Sequence, residues 1–142
     1  MNGQTDVNYF IGKIQNLSKG LSELEMDDVV KFGEEYGGRE LHSEQMHQLR
    51  KFLDSFKKIE HHFKQRPEGF NHQEVLTLKI YLKNSETKAK ENLREGWSNL
   101  IKIMGEAFKK LRDKEEGYKD LQKLVKMWEA IIAFHKEETH AR

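Results

Sequence analysis

The chain has 142 residues, 35% of them charged and 36% apolar, with a formal charge of +1, one proline and no cysteine. That length suits a single helical domain over 1–142 with a real core. The lack of cysteine excludes disulfide frameworks, thiolate zinc sites and cysteine nucleophiles. No apolar run long enough to span a bilayer and no signal-peptide pattern occur, so the expectation is a cytoplasmic protein with no membrane partner.

Val7, Phe10, Ile11, Ile14 and Leu17 recur at helical spacing between Gly3 and Gly20. They predict either a short helix packed on a neighbour or an N-terminal segment, residues 1–20, that orders only on assembly. Ser22-Glu23-Leu24-Glu25 has the form of a capping box and predicts a helix through Val29, Val30, Phe32 and Tyr36. Asp27 and Asp28 suit its first turn, and Gly37-Gly38 its end. The next helix is expected from Ser43, as N-cap, to about Gln65. Met46, Leu49, Phe52, Leu53, Phe56, Ile59 and Phe63 form its apolar stripe. Arg50, Lys57, Lys58 and His61 stack on another face. Arg66-Pro67-Glu68-Gly69 closes it.

A fourth helix is predicted from about Asn71 through Val75, Leu76, Leu78, Tyr81 and Leu82. The polar tract Lys83–Lys90 is either its solvated extension or a loop. Trp97, Leu100, Ile101, Met104, Phe108 and Leu111 mark a fifth helix. Tyr118, Leu121, Leu124, Val125, Trp128, Ile131, Ile132 and His135 mark a sixth, fraying into Glu137-Glu138-Thr139-His140. The fold class is therefore all-α, a compact bundle of about five to six helices with short connections. At helical spacing, Trp97, Phe108, Trp128 and Phe134 read as core rather than as platforms for bases.

The small net charge hides an uneven distribution. Residues 1–40 carry four basic and eight acidic side chains, residues 41–110 fourteen and nine, and residues 111–142 seven of each. A basic middle segment can meet an anionic partner while the rest keeps the chain soluble. No enzyme signature accompanies it. His135 and His140 are five residues apart, about 140° around a helix, which disfavours a zinc pair. Arg66 and His72 have a spacing used by helical ribonucleases, but a proline and a glycine stand between them. No metal and no cofactor are expected.

Three segments carry a family resemblance. Gln48-Leu49-Arg50-Lys51-Phe52, followed by Lys57-Lys58-Ile59, resembles a basic helix of the small subunit of type III-A CRISPR effector complexes, the Csm complexes. Leu76-Thr77-Leu78-Lys79-Ile80-Tyr81-Leu82 is similar to that family's middle segment, with Ile80 at its proline and Tyr81 at its arginine. Trp128–Lys136 resembles its closing amphipathic helix. Together with Asp28-Val29-Val30-Lys31-Phe32, the likeness covers roughly residues 26–136.

The resemblance implies an all-helical subunit without catalytic activity. Its expected partners are guide RNA and target RNA, the other subunits of the Csm complex and copies of itself. Such a subunit serves any guide sequence, so it must hold the sugar-phosphate backbone rather than read bases. The expected RNA-binding residues are Arg50, Lys51, Lys57 and Lys58, extended by Lys79 and Lys83 one helical turn apart. Arg50 is the strongest candidate because a guanidinium fork can engage phosphate twice. The rival reading is a helical protein–protein adaptor whose basic patch meets an acidic partner. A weaker third is an endoribonuclease using Arg66 and His72.

Overall fold

The longest helix forms the axle of the molecule. In this computed structural model, residues 3–140 are described, without the side chains of 3–6, 39, 40, 92 and 136–140. Six α-helices and no strand occur among them: α1 (Gly3–Gln15), α2 (Met26–Glu35), α3 (Ser43–His62), α4 (Leu76–Lys88), α5 (Arg94–Lys109) and α6 (Lys114–His140). Helix α6 packs on α2 and on α3, while α1 and α4 lie against α5. Being flanked on several sides, α6 buries more than one stripe. Met127 and Asp120 are buried along with Tyr118, Leu121, Leu124, Val125, Trp128 and Ile131. Phe56 of α3 ties the centre together, its ring 5.6 Å from Trp128 and 6.1 Å from Phe108. Trp97, Trp128 and Phe108 are core residues, as their spacing predicts, whereas Phe134 is only half-buried and lies outside that cluster.

Helix α1 packs onto the bundle, with Val7, Phe10 and Ile14 joining the same buried cluster as the other five helices. Tyr9 Oη donates to Asp28 Oδ1 at 2.7 Å, and Lys13 Nζ lies 3.6 Å from Asp28 Oδ2. Asp28 is thus in the first turn of α2 as expected, but its carboxylate is buried and turned towards α1.

Several boundaries differ from the sequence reading for identifiable reasons. Ser22 does not cap α2, which starts at Met26 with Glu25 before it. Residues Leu21–Glu23 form a 3₁₀ turn instead, because Asp120 accepts the Ser22 N–H at 2.8 Å. Ser43 is the first residue of α3 rather than its cap. The Gln45 side chain reaches back to accept the His42 N–H at 3.0 Å, and its Nε2 donates to Leu93 O at 2.9 Å. Helix α3 ends at His62, three residues early, and Pro67–Gly69 make a 3₁₀ turn. Helix α4 begins at Leu76, after a 3₁₀ turn, His72–Val75, and continues through the polar tract to Lys88.

Gly37-Gly38 does not stop the chain by turning left-handed, since no described glycine has a positive φ. Helix α2 runs into a π turn, Tyr36–Glu40, closed by Leu41 N–H to Tyr36 O at 3.2 Å. Glycine serves close approach here. A Cβ on Gly33 would lie 2.6 Å from Ala130 Cβ, and one on Gly37 would lie 2.2 Å from Ile131 O. Two glycines one turn apart thus bring α2 and the π turn into direct contact with the α6 backbone.

Candidate nucleic-acid interface

Helix α3 buries Met46, Leu49, Phe52 and Phe56, and this fixes which side chains point outward. With that stripe against α6, Arg50, Lys51 and Lys58 lie on the outer face and Lys57 and His61 on the flank next to α6, all exposed. They sit on one continuous helix, so their spacing is rigid. Arg50, Lys51 and Lys58 make no ion pair among the described residues. Lys57 does, with Glu129 Oε2 of α6 at 3.0 Å. That hydrogen bond holds the Lys57 ammonium above the ordinary lysine range. Two further features of this face were missed in the sequence reading. Asp54 is exposed on it, four residues after Arg50 and four before Lys58. Lys64 joins Lys57, His61 and the carboxylate of Glu60 around an open depression whose far wall is Tyr118 and Gln122 of α6.

Lys79 and Lys83 do not extend this face. Both turn towards α5, where they line a separate cleft with Lys102, over Leu82, Ile101, Gly105 and Phe108. Lys83 Nζ donates to Glu86 Oε1 at 2.9 Å, and Ser98 Oγ donates to the other oxygen of the same carboxylate. Those two hydrogen bonds, Ser98 foremost, hold Glu86 below the usual carboxylate range. The six candidate side chains therefore fall into two groups on different helices. Lys102 could have been found from sequence only by pairing α4 with α5. Helix α4 also exposes Ile80 (59%) and Tyr81 (56%), both large side chains with most of their surface open to solvent.

The histidines do other work. His135 is buried, with Nδ1 3.0 Å from Gly37 O and Nε2 3.4 Å from Ser43 Oγ, so it joins α6 to the π turn and to α3. The side chain of His140 lies outside the described residues. No group of three or more metal-ligating side chains converges among the described residues. His72 N–H donates to Asp113 Oδ1 at 2.9 Å, and its Nδ1 lies 2.7 Å from the same oxygen. No hydrogen bond or ion pair joins Arg66 to His72. The pair His72–Asp113 instead clips the α3–α4 connection to the α5–α6 turn.

This clip carries a pH dependence. The backbone N–H of His72, then its side chain, hold the Asp113 carboxyl below its ordinary 3.8. A depressed carboxyl pKa stabilises the fold above the unfolded value, and that contribution disappears as pH falls through the folded one. Asp113→Asn should therefore be less stable than the parent near neutral pH, with the gap closing below about pH 4. Urea midpoints across that range measure it, and a gap independent of pH would refute it.

Comparison with known proteins bears on this arrangement directly. The family described as Csm2 Type III-A matches residues 23–141, everything from the Leu21–Glu23 turn through α6 and leaving α1 outside. Searches of curated proteins and of solved structures found no match. None of the described helices is long and apolar enough to cross a membrane. The match spans most of the chain and includes α3 with its basic outer face, so this protein belongs to the Csm2 family, the small subunits of type III-A CRISPR Csm complexes.

Proposed function

We propose that this subunit is a non-catalytic part of the complex that holds the backbone of guide or target RNA against the outer face of α3. The observation that carries the reading is the set Arg50, Lys51 and Lys58, three cations on one rigid helix, none in an ion pair among the described residues and together outnumbering the single carboxylate between them, Asp54. Backbone binding needs cations at fixed positions and no base-reading groups, which is what this face offers. Lys57 adds charge once Glu129 yields it. Lys79 and Lys83 contribute from the α4–α5 cleft, as a second contact rather than an extension of the first.

Copies of the subunit, and the other Csm subunits, are the natural partners for the apolar side chains left in solvent. Leu76, Ile80 and Tyr81 on α4, and Met26 and Val30 on α2, are the exposed large ones on these helices. Helix α2 carries Asp27, Asp28, Glu34 and Glu35 against Lys31, and α4 carries Lys79, Lys83 and Lys88 against Glu86, so α2 of one copy and α4 of the next have complementary charge as well as apolar surface. The reading places the protein in the cytoplasm and requires no cofactor.

The direct test is binding of single-stranded RNA by the full chain as a function of salt. Arg50→Glu with Lys58→Glu should weaken binding at least about tenfold and make the slope of log K against log salt shallower by about 1.4, the loss of two phosphate contacts. Far-UV circular dichroism should stay unchanged, because both side chains are exposed. An unaltered slope would assign the face to solvent. Binding of one acidic protein with no RNA affinity would favour an adaptor.

A further inference from the structure

The cleft between α4 and α5 is built differently from the outer face of α3. Its volume is about 380 Å³. Its floor is apolar: Gly105 lies beside Ile101 and the edge of Phe108, which keep 8% and 5% of their surface, with the fully buried Leu82 beneath them. Its rim is cationic, with Lys79, Lys83 and Lys102 against a single carboxylate, Glu86. Glu86 is hydrogen-bonded by Lys83 and Ser98 and also feels the charge of Lys102, so three cations share one carboxylate and the rim keeps a net positive charge.

Gly105 supplies a second, independent observation. It lies inside α5, where glycine weakens a helix relative to alanine. Unlike Gly33 and Gly37, it is not needed for packing, since a Cβ there would meet nothing within 4 Å. What its missing side chain does is leave the cleft open. A phosphate-backbone site has no use for an apolar floor, whereas a nucleobase taken out of its stack requires one.

We propose that the α4–α5 cleft seats one unstacked nucleobase of the bound RNA strand, with Lys79, Lys83 and Lys102 holding that nucleotide's 5′-phosphate. This rests on the RNA-binding reading above and adds to it a contact that a bare backbone cannot make. The polar groups of the cleft are the three rim lysines and a Glu86 already bonded to Lys83 and Ser98, so the base meets chiefly the apolar floor, consistent with a subunit serving every guide.

The experiment titrates the full chain with adenosine 5′-monophosphate and with ribose 5-phosphate, following methyl resonances of Leu82 and Ile101. The monophosphate should shift both methyls, and ribose 5-phosphate should bind about tenfold more weakly or not at all, the scale set by loss of base contacts. Gly105→Leu, which fills the cleft from an open position, should abolish the methyl shifts while the melting temperature is maintained. Arg50→Glu with Lys58→Glu should leave them intact. Equal binding of the two ligands, or an unchanged response in Gly105→Leu, would overturn the proposal. So would methyl shifts with oligoglutamate and none with the nucleotide, which would assign the cleft to an acidic peptide. Absent nucleotide shifts alongside salt-dependent, Arg50-dependent RNA binding would overturn this site and leave the α3 reading standing.

Discussion

Asp120→Ala should destabilise the fold by about 3–5 kcal/mol, the scale for removing one partner of a buried charge pair. Asp120 is fully buried on α6 and accepts four hydrogen bonds. They come from Ser22 N–H at 2.8 Å, Arg112 N–H at 2.9 Å, Arg112 Nε at 3.0 Å and Arg112 Nη2 at 3.2 Å. Arg112 Nη2 also donates to Ser22 Oγ at 3.2 Å, which closes the network. Alanine would leave two backbone N–H groups and a partly buried guanidinium without their acceptor, and each buried donor left unmet costs about 1–3 kcal/mol. Asp120→Asn keeps the shape but turns part of the acceptor into a donor facing donors, so it should recover little. Urea unfolding measures both, and a loss below about 1 kcal/mol for alanine would show that water replaces the carboxylate.

Gly37→Ala should cost at least about 3 kcal/mol, at or above the upper end for overpacking, because the obstacle is backbone. The added Cβ would stand 2.2 Å from Ile131 O and 3.0 Å from His135 N. Neither atom can rotate away, so the π turn and α6 must separate. The same movement would stretch the His135 Nδ1 contact to Gly37 O. Gly38→Ala is the matched control, since a Cβ there meets nothing within 4 Å. Thermal melts of the two variants should differ by many degrees. Equal melting temperatures would mean that the contact between the π turn and α6 is looser than described.

These two sites also show where reading the sequence stops. Glycine pairs near the end of an amphipathic segment look the same whether they cap a helix or admit another one. At Gly37 only the position of Ile131, far along the chain, decides between them. Asp120 is harder still. It sits among the charges of a 27-residue helix and looks solvated until α6 is packed on more than one side. Its partner Ser22 is 98 residues away, and that contact also explains why the apparent capping box at Ser22 is not one.

The α3 interface was legible in one respect and not in another. Periodicity separates the face that buries Leu49, Phe52 and Phe56 from the face that exposes Arg50, Lys51 and Lys58, because both lie on the same helix. It does not reveal Glu129 beside Lys57, which belongs to another helix. Nor does it reveal that Lys79 and Lys83 turn towards Lys102 rather than towards Arg50. Charge is countable from residues alone, but its neutralisation depends on neighbours brought in by packing.

By itself, then, the sequence determined an all-helical protein, the apolar stripes of α3, α5 and α6, the basic outer face of α3 and the family resemblance. All of these are set by intervals of three and four residues or by residues in order. Val30 of α2 and Leu76 and Tyr81 of α4, by contrast, stand exposed. The tertiary structure alone decided which cations are paired, where glycine admits a neighbouring helix, how a buried carboxylate is satisfied and that a cleft opens at Gly105. Each of those depends on the distance between segments far apart in the chain, and local periodicity carries no information about that distance.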